Sequence, residues 1–404
     1  MKKKWWHLLL ILGCLTFLAG CWDKRELTDL AIVNAVGVDK LENGKFRNTF
    51  QIINPGNVAG NQQGGAQTSG IPITVYTVSG RNMLDAARLG SKNVSRQIYY
   101  AHANLVVIGE DLAREGLMQL FDVMERDPQF RTTSSIVIAE NSTAEDLLKM
   151  LTPIDKLPAN KITKTLKFTE KALGENMDVS VDDVIRDMVS PGKEPIISGF
   201  KIVGNSEEGK GQANLQTTEA AARLQAGGMA IFKEGKLTRW LHGKNARGVL
   251  WVQNKVQQTP VNIYWKNNKK PLAFFVIRGK SIIKAKLEKN KPVIKVHIEA
   301  EGDIREADIQ IDLTNPNIIF QLEKLAEKEI KKEIMATIKM IQKEKTDVFG
   351  FGDVIHRTSP KVWKQLKNDW NDVGFPELKV DVDVDAFIRR TGLRNNPYIT
   401  EVNN

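Results

Sequence analysis

The sequence predicts a multidomain protein of α+β or mixed α/β class, with helices packed on sheets and a long helix of the C-terminal domain lying against an antiparallel sheet. Strand-like apolar runs alternate with amphipathic helical segments from residue 31 to residue 203. This alternation is typical of a mixed α/β domain with crossover connections. After residue 222, several β-rich stretches come first and one long helical stretch follows them. That order is typical of an α+β domain.

The elements of the N-terminal half are predicted from short-range patterns. Strand-like runs lie at 31–38, 45–53, 71–79, 104–108, 133–139 and 195–203, and helical patterns lie at 82–94, 111–126, 142–151, 159–173 and 181–189. Asn43-Gly44 predicts a two-residue hairpin turn, since both positions of that turn need positive φ. Capping boxes are predicted at two helix starts, by Ser142 with Glu145 and by Ser180 with Asp183. The glycine-rich segment 56–70 predicts a loop or tether.

A polar, glycine-rich stretch predicts the domain boundary. Residues 205–212 read Asn-Ser-Glu-Glu-Gly-Lys-Gly-Gln, a composition typical of linkers. We therefore expect an N-terminal α/β domain at 21–204, with two subdomains as one option, a linker at 205–221 and a C-terminal α+β domain at 222–395.

The C-terminal half centres on one long amphipathic helix. A hairpin at 229–240, turned at Glu234-Gly235, precedes a short helix at 246–254 and β-rich stretches at 261–265, 272–287 and 292–301. After Asn315-Pro316, apolar residues recur at three- and four-residue steps, which predicts a helix of about 27 residues. These residues are Ile319, Leu322, Ala326, Ile330, Ile334, Ile338 and Ile341. Trp363 and Trp370 are expected to pack in the core, with a role as interface anchors as the alternative.

The N-terminus has the three parts of a secretory signal peptide. Lys2, Lys3 and Lys4 precede an apolar run at 8–18, and Ala19-Gly20 follows it. A membrane-spanning helix needs roughly 20 apolar residues, so this run is too short to span. The pattern predicts that residues 1–20 direct export and are then removed.

Residues 18–21, Leu-Ala-Gly-Cys, resemble the lipobox of bacterial lipoproteins. The resemblance implies that Cys21 begins the mature chain as an S-diacylglycerol cysteine, with its amine as the position for an N-acyl group such as palmitate. The alternative is a buried or chance cysteine in an ordinary signal. Two long acyl chains hold a protein on a membrane far more firmly than one, so the mature chain is predicted to be anchored.

Charge and cysteine content exclude several classes of function. The net charge is +10, and removing the three leader lysines leaves 55 Lys and Arg against 48 Asp and Glu, or about +7. A basic surface suits an anionic membrane leaflet, whereas the interleaved charges lack any nucleic-acid-binding motif. Cys14 and Cys21 are the only cysteines, so the mature chain has no free thiol for catalysis or metal binding.

No motif predicts an enzyme, a metal or a cofactor. Asp381, Asp383 and Asp385 have the spacing that begins a calcium loop, but Ala386 and Gly392 stand where that loop needs Gly and Glu. These aspartates are better explained as the solvent-exposed side chains of the last predicted strand. The five histidines are isolated, and neither a Gly-x-Ser-x-Gly elbow nor a Walker loop is present. We expect a non-enzymatic binding or scaffolding protein.

Both ends of the mature chain resemble one family. Residues 21–27, Cys-Trp-Asp-Lys-Arg-Glu-Leu, with Ala-Ile-Val at 31–33 and Gly-Val-Asp-Lys at 37–40, look like the start of the Ger(x)C spore germination lipoproteins. These are the C subunits of nutrient germinant receptors. Asp-Val-Phe-Gly-Phe-Gly at 347–352, then Pro360, Trp363, Trp370 and the closing Val/Asp strand, are similar to that family's last domain.

The resemblance implies a non-enzymatic, lipid-anchored receptor component on the outer face of the inner spore membrane. It implies assembly with a multi-spanning A subunit and a transporter-like B subunit, and a folded part made of several α/β domains. Nutrient recognition in the family is usually assigned to the B subunit. Cys21 is thus the only functional residue that the resemblance transfers.

Two other functions fit parts of the sequence. A solute-binding lipoprotein of an import complex also carries a lipobox, but it requires two similar lobes with a cleft between them. A secreted hydrolase requires a deep pocket with two close carboxylates whose pKa values are shifted.

Overall fold

The computed structural model of the chain describes Trp5 and residues 26–58, 70–266, 268–289, 291–392 and 396–402. Cys21, nearly all of the leader at 1–20 and most of the glycine-rich segment at 56–70 lie outside the described residues. Among the described residues, no helix combines the length and the apolar character needed to cross a membrane.

The larger sheet has nine strands of mixed direction. They are β1 (Leu30–Lys40), β2 (Phe46–Ile53), β3 (Ile73–Gly80), β4 (Gln97–Tyr99), β5 (Leu105–Gly109), β6 (Ser135–Ala139), β7 (Ile196–Gly204), β8 (Ala222–Lys233) and β9 (Lys236–Leu241). The order is β3-β2-β1-β5-β6-β7-β8-β9, with β4 pairing beside the start of β1. The central strands β1, β5, β6 and β7 run parallel, and antiparallel strands flank them on both sides.

Helices cover both faces of this sheet, as predicted for an α/β layer. They are α1 (Pro55–Val58), α2 (Met83–Leu89), α3 (Glu110–Glu115), α4 (Met118–Arg126), α5 (Ala144–Lys149), α6 (Pro158–Ala172) and α7 (Val181–Val189). Alternate residues of β5 serve the two faces: Val106 and Ile108 join one buried cluster, and Leu105 and Val107 join another with α5 and α6. Near-continuous apolar strands are typical of parallel sheets covered on both faces.

The segment at 205–221 connects two neighbouring strands of the same sheet. It contains α8 (Ser206–Gly209) and a 3-10 turn (Gln212–Leu215), and the strands on either side of it, β7 and β8, pair antiparallel. Asn214 is buried there, and its side chain bonds to Leu151 O and to both backbone groups of Ala222. The nine-stranded sheet thus continues past this segment, and the division into domains at 21–204 and 222–395 stays a prediction.

The second sheet has four strands and is built around a hairpin. Its strands are β10 (Thr259–Ile263), β11 (Leu272–Glu288), β12 (Lys291–Ala307) and β13 (Lys379–Arg390), in that order. The first three pair antiparallel, as expected, but β13 lies parallel to β12. The parallel pair arises because the long helix carries the chain back across the sheet before β13 begins.

That helix is α10 (Pro316–Glu344), which is about 43 Å long at 1.5 Å per residue. Asn315 caps its N-terminus, and the buried stripe contains the predicted apolar residues from Leu322 to Ile341. It contacts β10, β13 and the preceding helix α9 (Lys244–Val252). Arg247 of α9 and Glu333 of α10 form a buried bidentate ion pair, with both N–O distances 2.7 Å.

Side chains of α10 also cover part of the edge of β13. Glu323 accepts from the Ile388 N–H at 2.9 Å, and Glu327 accepts from the Ala386 N–H at 3.4 Å. Three more α-helices follow in the described chain: α11 (Phe351–Thr358), α12 (Pro360–Leu366) and α13 (Tyr398–Val402). A 3-10 turn (Lys367–Asp369) and a π-helical turn (Trp370–Gly374) lie directly after α12. The fold class is therefore the predicted one, with unlike sheets and a long helix in the C-terminal half.

Several local predictions are confirmed. The helix at 181–189 begins at Ser180 with a complete capping box to Asp183. Glu234 and Gly235 both have positive φ, at 51° and 77°, and join β8 to β9 in a two-residue turn. Trp363 and Trp370 are buried with ring centroids 5.3 Å apart, in agreement with core packing.

Other local predictions are wrong in detail. Between β1 and β2 the loop has five residues, and of the Asn43-Gly44 pair only Gly44 has positive φ. The helix expected at 111–126 is two helices, broken at Gly116, where φ is 140°. Thr143, not Ser142, caps α5, because its hydroxyl accepts from the Asp146 N–H at 3.0 Å.

A fully buried carboxylate, Asp347, organises the turn that follows α10. Its Oδ1 accepts from the N–H groups of Gly350 at 2.9 Å and Phe351 at 3.2 Å. Its Oδ2 accepts from the N–H of Gly352 at 2.8 Å and the indole of Trp370 at 3.0 Å. Gly350 has a φ of 74°, a conformation that glycine adopts without strain. Four donors therefore converge on one side chain.

The loop at 190–195 docks on this turn, and we call the contact the seam. The Glu194 N–H donates to Asp347 O at 2.9 Å. The Glu194 carboxylate accepts from Asn371 at 2.8 Å and from the Glu234 N–H at 3.2 Å. Burial raises the pKa of Glu194 above its ordinary value. The seam thus ties the larger sheet to the C-terminal helices through buried polar groups.

Two glycines allow this close approach. A Cβ added at Gly192 would lie 2.7 Å from Gly352 Cα and 2.4 Å from the Trp363 ring. The φ of Gly192 is also positive, at 59°. A side chain at this position would separate the two parts of the seam.

We predict that Ile330→Asp strongly destabilises the C-terminal half. Ile330 is 1% exposed within α10, and an unpaired carboxylate there would cost several kcal/mol. Thermal unfolding followed by circular dichroism measures the effect. The matched control is Lys331→Asp at the neighbouring exposed position, which should change the melting temperature little; an unchanged melting temperature in Ile330→Asp would mean that α10 is misplaced.

We predict that Asp347 gives stability a distinctive pH dependence. Burial raises the pKa of Asp347 to about 7, although its four donors oppose the rise. Because the folded pKa exceeds the ordinary 3.8, the stabilisation is fully present below pH 4 and is lost as the pH rises towards 7. Asp347 contributes at most about 1.4 kcal/mol per pH unit to the slope of the free energy of unfolding against pH.

Asp347→Asn should remove this part of the slope and lower the free energy of unfolding at pH 5 by about 1–3 kcal/mol, since an amide N–H would face other donors. Urea unfolding at pH 5, 6, 7 and 8 tests this. Asp39, whose burial raises its pKa to about 6, contributes equally to both proteins. Exposed Asp369→Asn is the control, and equal slopes for the protein and Asp347→Asn would contradict the assignment.

Candidate functional site

The one site residue predicted from the sequence, Cys21, lies outside the described residues. The described chain resumes at Glu26, and after one 3-10 turn (Leu27–Asp29) it enters β1 at Leu30. The strand that follows the predicted anchor is therefore a central strand of the larger sheet.

Three carboxylates lie at the carboxyl ends of the parallel strands β1, β5 and β6, where open α/β sheets commonly bind ligands. They are Asp39, Glu110 and Glu140. Asp39 accepts from the N–H groups of Ala144 at 2.7 Å and Glu145 at 3.1 Å, and so holds the start of α5.

Donors of the fold also engage the other two carboxylates. Glu110 accepts from the Asn141 N–H at 2.8 Å and from the Trp240 indole at 3.2 Å. Burial raises the pKa of Glu110, but these bonds and Arg114 outweigh it and leave the pKa below its ordinary value. Glu140 is buried, accepts from the Gly228 N–H at 2.9 Å and lies 2.7 Å from Nε2 of His242. These contacts join β5 and β6 to β8 and β9.

Sequence reasoning missed these carboxylates as a group. Several of their partners lie about 90 to 130 residues away in the chain, as between Glu140 and Gly228 or Glu110 and Trp240. The sequence does contain a pattern that could have indicated two of them, since Glu110 and Glu140 each directly follow an apolar run predicted to be a strand.

One group of exposed side chains in the described part of the chain could hold a metal ion. His297 of β12 pairs in register with Asp383 of β13, and ligand atoms of His297, Asp383 and Asp385 lie within 4.8 Å of one another. His297 Nδ1 is 3.5 Å from Asp383, and Nε2 is 3.8 Å from Asp385. The alternating aspartates lie on the exposed side of a regular strand, as the sequence predicted.

A groove between α2 and α4, floored by β1 and β2, is the candidate ligand site. We call it the α2–α4 groove. An inner part of about 60 Å³ adjoins an outer part of about 490 Å³. Both parts share the lining residues Leu84, Ala87, Tyr100, Val123 and Asp127.

The two parts of the groove differ in chemistry. The inner part is lined mainly by apolar side chains, among them Val36, Val38, Phe50, Leu120, Met124 and Phe130. The outer part adds Arg88, Arg126, Gln97 and Gln129. The Tyr100 hydroxyl donates to Asp127, and burial together with this bond raises the pKa of Tyr100.

Asn48, which borders the inner part, carries an unsatisfied acceptor. Its side chain lines the groove, and its Nδ2 donates to Met83 O at 2.8 Å. Its Oδ1 is buried and has no partner among the described residues. Leaving a buried acceptor unpaired costs about 1–3 kcal/mol.

Comparisons with known proteins identify the family. The family model described as "Spore germination protein N-terminal domain" matches residues 23–202, and "Spore germination B3/ GerAC like, C-terminal" matches residues 227–392. Spore germination protein KC of Bacillus subtilis (strain 168) is 42% identical over 399 residues, which cover 98% of each chain. Spore germination protein GerQC of Bacillus cereus is 22% identical and covers 97% of this chain and 99% of its own.

A solved structure supports the fold. The crystal structure of the GerBC protein matches with a TM-score of 0.55 and 19% identity, covering 88% of this chain and 96% of that one. The two family models match residues 23–202 and 227–392, and the match to spore germination protein KC covers 98% of this chain. The chain therefore belongs to the GerAC-like family of spore germination proteins.

Proposed function

We propose that this protein is a non-enzymatic, lipid-anchored subunit of a spore nutrient germinant receptor and is needed for the germination response to a nutrient. The observation that carries the proposal is the family match along both halves of the chain, together with the lipobox-like residues 18–21. The relatives that match along nearly their whole length are named as spore germination proteins.

The proposed location follows from the leader and Cys21. Export and double acylation would hold the folded body on the outer face of the inner spore membrane. There it would assemble with a membrane-spanning A subunit and a transporter-like B subunit of the same receptor. The body needs no spanning helix of its own in this arrangement.

The structure favours this function over the solute-binding alternative. That alternative requires two similar lobes, whereas the described chain has one nine-stranded sheet with a parallel centre and one four-stranded sheet built on a hairpin. The seam also joins the two halves, because the Glu194 N–H donates to Asp347 O and Asn371 donates to the Glu194 carboxylate, so no hinged cleft separates them at that contact.

The carboxylates at the strand ends support a non-enzymatic role. Backbone N–H groups, an indole and an imidazole engage Asp39, Glu110 and Glu140. Their contacts fasten connections of the fold, which is the behaviour of structural carboxylates.

We predict that Cys21→Ala leaves the folded body intact but releases or mislocalises it and abolishes germination through this receptor. The physical reason is the loss of the acyl chains that bind the bilayer. Fractionation of mutant spores and a germination assay measure the outcome, and mass spectrometry of the natural protein should show an acylated Cys21.

Cys14→Ala is the matched control, because this cysteine lies within the apolar run and leaves with the leader. It should preserve membrane retention and the nutrient response. Purification of the acylated protein from membranes should recover two integral membrane proteins with it. Membrane retention and a normal response in Cys21→Ala would overturn the anchor, and recovery of a permease and an ATPase would favour the import complex.

A further inference from the structure

The far end of the β11–β12 hairpin carries a strong positive charge. Residues 280–295, which we call the basic hairpin end, contain six lysines and a single acidic residue, Glu288. The lysines are Lys280, Lys284, Lys286, Lys289, Lys291 and Lys295. The excess of five positive charges equals half of the net charge of the whole chain. Such a concentration of one sign attracts anionic partners.

The fold leaves most of these lysines without a carboxylate. Lys280 lies 3.9 Å from Glu299, and Glu288 lies 3.5 Å from Lys379 of β13. The other five lysines of the basic hairpin end are exposed and form no ion pair with any residue that the structure describes. Their charges are therefore available to a partner outside the chain.

Two of the lysines oppose each other across the hairpin. Lys284 and Lys295 are direct partners in the β11–β12 register, and like charges directly opposite one another destabilise a strand pair. Asp381 flanks Lys295 on the other side, but it forms its ion pair with Lys379 at 3.6 Å. An anion from outside the chain relieves the repulsion at Lys284.

The tip of the hairpin also exposes an apolar side chain. Leu287 is 46% exposed and stands between Lys286 and Glu288 in the sequence. Its cross-strand partner is Pro292, which adds apolar surface beside it. Apolar residues accompanied by lysines are typical of surfaces that lie in the boundary between lipid headgroups and acyl chains. This combination favours an anionic bilayer over a purely polar acidic partner.

The basic hairpin end extends past the seam. Ser281 donates to Val252 O at 3.1 Å, and the side chain of the next residue in the chain after Val252, Gln253, donates to Val348 O at 2.7 Å. Val348 belongs to the turn at the seam, so Ser281 marks the point where β11 passes it. The seven residues from Ser281 to Glu288 then rise about 23 Å at 3.3 Å each.

The seam lies at the edge of the larger sheet where β1 begins. Its loop at 190–195 leads into β7, and β1, β5, β6 and β7 run parallel, so all four begin at one edge. Glu26, where the described chain resumes, is five residues after Cys21, and five extended residues reach at most about 18 Å. An anchor at Cys21 therefore keeps this edge of the sheet near the bilayer.

We propose that the basic hairpin end docks on a bilayer of anionic phospholipids. Leu287 lies in the boundary between headgroups and acyl chains, and the lysines around it, chiefly Lys286 and Lys289, lie at the lipid phosphates. The negative surface potential acts on them within a Debye length, about 8 Å at physiological ionic strength. This contact rests on the proposed anchoring at Cys21 and adds a second attachment of the body to the same leaflet.

A single spin label at the tip tests the contact. Leu287→Cys introduces one reactive thiol, because Cys21 is expected to be acylated and Cys14 to leave with the leader. EPR power saturation of the acylated protein in nanodiscs compares the accessibility of the label to oxygen, which concentrates in lipid, and to a water-soluble nickel chelate. We expect the oxygen-to-nickel ratio to be about threefold higher in nanodiscs that contain phosphatidylglycerol than in phosphatidylcholine nanodiscs, since only the former attract lysines.

A label at position 320 is the matched control. Phe320→Cys replaces another large apolar residue, which is 58% exposed and lies in the first turns of α10, at the opposite end of that helix from the seam. Its oxygen-to-nickel ratio should be the same in both kinds of nanodisc.

Reversal of the lysine charges shows whether they carry the contact. Lys284→Glu, Lys286→Glu and Lys289→Glu together should abolish the dependence on lipid at position 287. The melting temperature should not fall, because Lys284→Glu places opposite charges across the hairpin. If this triple variant does not fold, the same three lysines changed to glutamine replace it.

The control for the change in net charge lies on α10. Lys328, Lys331 and Lys339 are also exposed, and their joint replacement by glutamate should preserve the dependence on lipid at position 287. Loss of that dependence in both triple variants would mean that net charge alone acts, and would overturn the assignment to the hairpin.

The remaining outcomes separate the docking from the anchor. At 1 M salt, where the Debye length is about 3 Å, the label should return to water while the protein stays in the nanodisc. Release of the protein at that salt would support the docking and overturn the anchor. A label that stays in water in both kinds of nanodisc would overturn the docking and leave the anchor standing. Protection of the label only in membranes that also contain other receptor subunits would overturn lipid docking and identify an acidic protein surface as the partner.

Discussion

The arrangement of the larger sheet relative to the C-terminal helices depends on the buried carboxylate of Asp347 and the turn that it organises. Four donors converge on this carboxylate, three backbone N–H groups of the turn and the Trp370 indole. The backbone carbonyl of Asp347 accepts a hydrogen bond from the Glu194 N–H, which belongs to the loop after α7. The same turn is held against that loop by the approach of Gly192 to Gly352. A single buried side chain thus shapes a turn and presents that turn to the rest of the molecule.

Burial and hydrogen bonding act on Asp347 in opposite directions. Donors favour the charged form and desolvation favours the neutral form, and desolvation is the larger effect. The ion pair of Arg247 with Glu333 is the second buried polar junction, placed between α9 and α10. Since the mature chain is predicted to have no disulfide, such junctions and the continuous apolar cluster they border must set the geometry of the fold.

The sequence predicted best the features whose cause lies within a few residues, although the Asn43-Gly44 turn and the single helix at 111–126 were local predictions that failed. The stripe of α10, the Ser180 capping box and the Glu234-Gly235 turn depend on spacings of one to four positions, and all three are present. The capping at Ser142 failed by one residue because Thr143 offers the same chemistry. The parallel pairing of β12 with β13 joins strands that are about 70 residues apart in the chain, and the pairing of β7 with β8 spans the segment 205–221 that the sequence predicted to be a linker; no local pattern encodes either pairing.

The candidate site shows the same division. The apolar character of β1 and β2 was visible in the sequence, but the unpaired state of Asn48 Oδ1 was not. That state depends on Met83, 35 residues away, taking the other end of the amide. Likewise, the position of His297 opposite Asp383 follows from the register of β12 and β13. Two of the aspartates with calcium-loop spacing therefore lie in a cluster with a histidine, which the spacing alone did not indicate.

The covering of β13 by α10 limits how copies of this protein can associate. An exposed strand edge is a template for intermolecular pairing, and Glu323 and Glu327 occupy two of its N–H groups. A strand from a neighbouring molecule would have to displace both acidic side chains at those positions before it could extend the sheet. The proposed anchoring of many copies on one membrane is therefore compatible with sheets that do not pair with one another along this stretch of β13.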